Sequence, residues 1–187
     1  FTLKHIFENL FNEVGESIEK HLKLYREPVL ARHFWPDGTV LDLKPKMSEN
    51  YAALETFAGP KAVNEFKRFN NLTKNLYESF ESPILQNPNP TIPNTISKTS
   101  SQILKLISAL IPGRTLSQFV DAQFTDERLR QLFSRYATYV GGSPFNSPAI
   151  LSLIWHAESQ GVWRIQGGMH QLAYKIKDLA EKRGAKF

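Results

Sequence analysis

The sequence predicts an α+β domain, a small mixed or antiparallel sheet carrying a layer of helices. Three observations lead there. Apolar residues recur at helical spacing over most of the chain. A hairpin signal stands at Pro36-Asp37-Gly38, and a second strand-like run lies late, at 162–166. Strands early, helices in the middle and a strand late give one sheet with helices packed on it.

Taken in order, Leu3, Ile6, Phe7, Leu10, Phe11, Val14, Ile18 and Leu22 keep the three-and-four spacing of one buried helix face. Leu22, Leu24, Val29, Ala31 and Phe34 then mark strand segments near 22–27 and 30–35, with Pro28 as an edge or a break. Pro36 presets φ and Gly38 admits a positive φ, so the chain returns through Val40, Leu41 and Leu43. These strands and 162–166 are expected in one sheet that buries Phe34, Leu41 and Val162.

Ser48 is expected to cap a helix to Phe57, and Gly59-Pro60 to start another carrying Val63, Phe66, Phe69, Leu72, Leu76 and Phe80. The stretch "ESPILQNPNPTIPNTISKTS" has no period. A helix is expected over 102–111, a break at Pro112-Gly113, and a restart at Thr115 with Gln118 completing a capping box. Thr125 is expected to cap a helix whose buried face is Leu129, Leu132, Phe133, Tyr136 and Val140. Ser147 and Pro148 open the next, Gly161 leads into the late strand, and a last helix over 169–183 stops at Gly184. The chain opens on Phe1 inside a helical pattern, and Ala185-Lys186-Phe187 reads as the first residues of another strand. A piece of a longer protein is the expectation.

Composition narrows the function classes. With 187 residues, 41% hydrophobic and 22% charged, the chain is ordinary for a globular domain with a core of its own. The absence of Cys excludes disulfides, thiolate metal sites and a Cys nucleophile, and favours a reducing compartment. A net charge of +5 would attract nucleic acid or an anionic membrane. However, the basic residues alternate with acids, as in "EKHLKLYRE", and no nucleic-acid motif is present, so no nucleic-acid partner is expected. A membrane surface stays open. His5, His21, His33, His156 and His170 show no metal-ligand spacing, so no metal site is expected. There is no nucleophile elbow, phosphate loop or dinucleotide fingerprint, hence no self-sufficient catalytic constellation.

Two glycine pairs stand out instead. Gly141-Gly142 falls between two helices, and Gly167-Gly168 between a strand and a helix N-terminus. Each reads either as a tight turn or as close backbone approach to a planar or anionic ligand, which a Cβ would block. Tyr136, Tyr139 and Phe145 flank the first pair, and Trp155 and Trp163 lie near the second.

The segments "LRQLF", "YVGGSPFNSPA", "GVW" and "GGMHQLAYKIKDLAEKRGA" resemble the back half of the substrate domain of bacterial phytoene desaturase-type carotenoid desaturases. Within that family they are most similar to the branch of hydroxyneurosporene and methoxyneurosporene desaturases. The resemblance is strong over 125–187, fair over 1–70 and weak over 71–124. It implies a substrate-binding domain, 1–166, inserted in a split FAD-binding domain, with 167–187 as the return segment and the glycine fingerprint before Phe1. It further implies that FAD accepts a hydride from a saturated C–C bond of an acyclic or hydroxylated carotenoid. Gly167, Gly168 and Trp163 would border the flavin, and Tyr139, Pro144, Phe145, Leu153 and Trp155 would line the polyene path. The Asp–Arg pair that some members carry has no Asp in "TSSQILKLISALIPGR", so no catalytic residue carries over. The implied location is cytoplasmic with peripheral membrane association; no oligomeric state is implied. The dense apolar residues of 71–124 read either as ordinary helix packing or as a membrane-docking arm or lid. Two rivals remain open: another flavin amine oxidase-like oxidoreductase with an apolar substrate, and a non-catalytic lipid-binding module.

Overall fold

The computed structural model describes residues 1–87 and 113–187. The expected helix over 102–111, with residues 88–112 of the apolar section 71–124, lies outside the described residues. The chain is α+β, with one correction to the sheet. The four strands among the described residues form two separate antiparallel pairs. Strand β1 (Leu24–Arg26) pairs with β4 (Trp163–Ile165), and β2 (Ala31–Phe34) pairs with β3 (Val40–Leu43). Pro28 lies between β1 and β2 and has no N–H to give a ladder. On its two sides the bonds diverge: Glu27 N–H goes to Val162 O, whereas Leu30 N–H goes to Leu43 O.

The hairpin turn is built as its residues dictate. Gly38 has φ +82°, and the Asp37 carboxylate accepts from both the N–H and the hydroxyl of Thr39. Its register corrects a second expectation. Leu41 and Leu43 are buried, so Val40 and Asp42 face outward, and Phe34, opposite Val40, is 71% exposed. His33, opposite Leu41, takes the inward position instead. Asp42 uses its outward position for a two-pronged salt bridge to Arg32 at 2.7 Å. Val162 lies just before β4 and is half-buried.

The first helical face breaks at Gly15 into α1 (Lys4–Glu13) and α2 (Ile18–His21). Phe11, Ile18 and Leu22 from this region join Ile165, Leu172 and Leu179 in one apolar cluster, which seats helix α7 (His170–Lys182) on β1 and β4. After Gly184 the last three residues are irregular and exposed, not a strand.

A larger cluster holds the rest together. Helix α3 (Met47–Phe80) is interrupted at Gly59, φ +82°, where Pro60 starts its second half, and Phe66 and Phe69 anchor that half in the core. A π-helical turn (Glu81–Leu85) extends it. Helix α4 (Leu116–Asp121) begins with the expected capping box: Thr115 and Gln118 each bond the other's backbone N–H. For helix α5 (Glu127–Ser134) the cap is Asp126 rather than Thr125, its carboxylate accepting from the N–H groups of Arg128 and Leu129. Thr125 is drawn away by buried Glu65, which accepts from its N–H and its hydroxyl and ties α5 to α3. At Arg135 the helix tightens to a 3₁₀ segment (Arg135–Val140). Three residues per turn instead of 3.6 rotates Val140 off the buried face, and it is 61% exposed. A second 3₁₀ segment (Ala149–Leu153) runs into helix α6 (Ile154–Ser159).

Candidate functional site

The 3₁₀ segment at 135–140 ends on Gly141, whose φ of +64° supplies the left-handed stop. Gly142 follows where a Cβ would stand 2.5 Å from Ser147 Oγ, so glycine lets the loop close over its own exit. The loop is clamped to α4: Ser117 N–H bonds Pro144 O and Leu116 N–H bonds Ser147 O. These fixings leave a cleft of about 470 Å³ between the loop, α4 and α5. Ala137, Gly142, Pro144 and Phe145 line it, together with the charged side chains of Asp121, Glu127, Arg130 and Arg135. Phe145 is 70% exposed, held out by the loop rather than packed in the core.

Behind this cleft lies a buried polar network. Glu158 on α6 is 7% exposed, and its carboxylate accepts from Arg135 Nη2, from Tyr136 at 3.0 Å and from Tyr139 at 2.7 Å. The Arg135 guanidinium also lies over the Tyr136 ring, 4.7 Å from its centre. Burial pulls the Arg135 proton affinity down, but Tyr136 and Glu158 outweigh it, so the group stays above its ordinary value and charged. Burial, then Glu158, pushes the Tyr136 hydroxyl well up, and burial with the bond to Glu158 pushes Tyr139 up to about 12. Both tyrosines are therefore donors at neutral pH. Arg135 Nε and His33 Nε2 are buried with no hydrogen-bond partner among the described residues.

A second cleft, about 460 Å³, opens at the seam between α1, the end of α3 and α6. Trp163 lines it with His5, Tyr77, Glu81 and His156. Here Glu81 accepts from Tyr77 at 3.1 Å and lies 3.1 Å from His5 Nε2, while Gln160 contacts His156. His33 and His156 are both held below the ordinary imidazole value of 6.5, first by burial. Below that value unfolded imidazoles take up protons that the folded ones refuse, so their contribution is complete above pH 6.5 and is lost as pH falls through the folded values. The melting temperature is expected to fall between pH 7 and about 5, and to fall less in His156→Gln. A flat profile would contradict this.

The residues singled out from sequence are thus divided among several places. Pro144 and Phe145 share the first cleft, and Tyr139 stands at the network behind it. Leu153 is half-buried at the end of its 3₁₀ segment. Trp155 is fully buried in the large core against Phe66 and Phe133, with Nε1–H donated to Asn70 at 2.9 Å. Trp163 belongs to the other cleft, its ring against the Cα of Gly161 and beneath Arg26. Gly167 and Gly168 have φ of +85° and +92°, and Gly168 N–H closes a turn onto Ile165 O. Both φ angles lie in the left-handed region, which glycine adopts without strain. Sequence reasoning passed over Arg135 and Glu158, and weighed His33 only as a metal ligand. The available signal was Glu158 standing as the sole acidic residue between Glu127 and Asp178.

No family model matches the chain. It is 45% identical over 186 residues to the hydroxyneurosporene desaturase of Rhodobacter capsulatus, which aligns 100% of this chain with 37% of that protein. Identity to the hydroxyneurosporene desaturase of Cereibacter sphaeroides is 42% over 185 residues, 99% of this chain and 37% of that protein. The similarity is to a segment of each of these desaturases. Similarity extends to the 4,4'-diaponeurosporene oxygenase of Staphylococcus aureus, 30% identical over 190 residues, 98% of this chain and 36% of that protein. The chain spans little more than a third of the length of the curated relatives it matches. Among its described residues no helix is long and apolar enough to cross a membrane.

Proposed function

We propose that this chain is the substrate-binding part of an FAD-dependent carotenoid desaturase, which introduces C=C bonds into an acyclic or hydroxylated carotenoid. The observation that carries the proposal is the 42–45% identity to hydroxyneurosporene desaturases along essentially the whole chain. The cleft beside the Gly141-Gly142 loop supports it, because an uncharged polyene is recognised by apolar area and shape. On this reading Pro144 and Phe145 touch the polyene, Tyr139 and Leu153 shape its surroundings, and Trp155 holds the elements that form the cleft. Peripheral membrane association from the cytoplasmic side belongs to the same proposal, since the substrate is lipid-soluble.

The described residues fit a border of the flavin rather than its cradle. A Cβ on Gly168 would meet nothing within 4 Å, so the outer side of that turn is open to a planar group. Its N–H, however, is spent inside the turn, and no dinucleotide fingerprint is present. Gly167, Gly168 and Trp163 would then flank the flavin, and the domain carrying the fingerprint would enclose this one as an insertion. Bound FAD supplies a two-electron acceptor for a hydride; this chain's task is to align the polyene and exclude water.

Anaerobic incubation of the full-length protein with hydroxyneurosporene should bleach the flavin and shift the polyene absorption to longer wavelength. The chain of 187 residues by itself should purify without flavin. Full-length flavoprotein that hydroxyneurosporene and other acyclic carotenoids fail to bleach would refute the proposal.

A further inference from the structure

We infer that the chain immediately before Phe1 lies along the free edge of β4 in the full-length protein and adds a third strand to the β1–β4 pair. The inference rests on the desaturase reading only in taking this chain as one segment of a longer protein, since its desaturase relatives are matched over 37% of their length.

The backbone bonds of β4 fall on two sides. Glu27 N–H bonds Val162 O and Gln166 N–H bonds Lys23 O, in register with Tyr25 opposite Arg164. In an antiparallel ladder such bonds recur at every second residue, so Val162, Arg164 and Gln166 turn their backbone groups to β1. Trp163 and Ile165 turn theirs to the opposite edge. Phe1 already occupies that edge: its amino group donates to Trp163 O at 2.6 Å, and Trp163 N–H donates to Phe1 O at 2.8 Å. Two residues that exchange both bonds are the hydrogen-bonded pair of an antiparallel ladder. Continued by the same rule, the residue before Phe1 stands opposite Arg164, and the one before that exchanges bonds with Ile165.

Ile165 is prepared for a partner there. It is 3% exposed, and its N–H, turned from β1, has no acceptor among the described residues. A buried N–H of this kind is rare, and a strand on this edge supplies the missing acceptor. Its carbonyl takes Gly168 N–H in the turn and keeps a second lone pair for the new strand. The Phe1 ring meets Phe7 edge-on at 5.4 Å and lies 6.4 Å from the Trp163 ring, which fixes the direction of the chain as it enters. Strands β1 and β4 are three residues each, a pair that is marginal without a third member. The added strand would hold the Gly167-Gly168 turn, which follows β4, to the rest of the protein by backbone bonds.

The test places one Cys on each strand of the full-length protein, in a background freed of any other Cys; residues 1–187 hold none. Arg164→Cys with a Cys immediately before Phe1 makes a cross-strand pair without mutual hydrogen bonds. The Cα atoms of such a pair lie about 4.5 Å apart, within disulfide range, so it should close under mild oxidation. Moving the second Cys one position earlier turns it to the other face of the strand, and that pair should stay open. In the unaltered protein, amide hydrogen exchange at Ile165 should be as slow as at Arg164, whose N–H is held by β1. An open first pair, equal closure of both pairs, or fast exchange at Ile165 overturns the inference. Should a Cys variant fail to fold, exchange in the unaltered protein decides. Neither readout depends on flavin or carotenoid. A protein that hydroxyneurosporene bleaches but that exchanges fast at Ile165 loses this inference alone; slow exchange in a protein without flavin sinks the desaturase reading alone.

Discussion

Replacing Trp155 by Ala should destabilise the chain by about 3–5 kcal/mol, the range for removing a large buried aromatic side chain. The side chain is completely buried, its ring meets Phe66 and Phe133 edge-on, and its Nε1–H satisfies Asn70. Truncation therefore opens a cavity where α3, α5 and α6 meet and leaves the Asn70 oxygen without its donor. Phe145→Ala should do the reverse, changing stability by less than about 1 kcal/mol because the ring is 70% exposed. Its effect belongs to turnover, since a misplaced polyene can lose on the order of a hundredfold in rate. Urea titration and turnover on the same two variants check this. A stable Trp155→Ala, or a Phe145→Ala that unfolds, would reverse the roles assigned to them.

Glu158→Ala should be nearly as damaging, at about 3–5 kcal/mol, because it breaks a buried ion pair from one side only. Arg135 would keep a charge with little access to water, and the hydroxyls of Tyr136 and Tyr139 would lose their acceptor. Glu158→Gln retains an acceptor oxygen and should lose less. The urea midpoints should therefore fall in the order wild type, Gln, Ala. Equal midpoints for all three would mean that the network contributes nothing to the fold.

What the sequence made legible was mostly local. The Thr115–Gln118 capping box, the Gly38 turn, the break at Gly59-Pro60 and the stop at Gly184 each depend on a few neighbouring residues, and each is present. Expectations failed where a distant partner decides. Asp126 caps α5 because Glu65, sixty residues away, claims Thr125. Phe34 and His33 exchange faces because register is set by the buried Leu41 and Leu43 of the opposite strand. The single sheet became two because Pro28 interrupts a ladder that apolar alternation alone would continue. The candidate site follows the same division. The exposed Gly-Gly-Ser-Pro-Phe loop could be read directly, and Trp155 could be recognised as an aromatic on a helix. Periodicity shows that such a residue is buried, but not whether protein or ligand buries it. Arg135 and Glu158 are 23 residues apart and meet only through the packing of α6 on the 3₁₀ segment.

On the proposed function, this chain presents a carotenoid to a desaturating flavoprotein. The most direct measurement is the mass of the polyene recovered after the full-length protein has been incubated with hydroxyneurosporene. The expected product is lighter by the two hydrogen atoms of each new double bond, with no oxygen gained. Unchanged substrate, or a product that has gained oxygen instead of losing hydrogen, would contradict it.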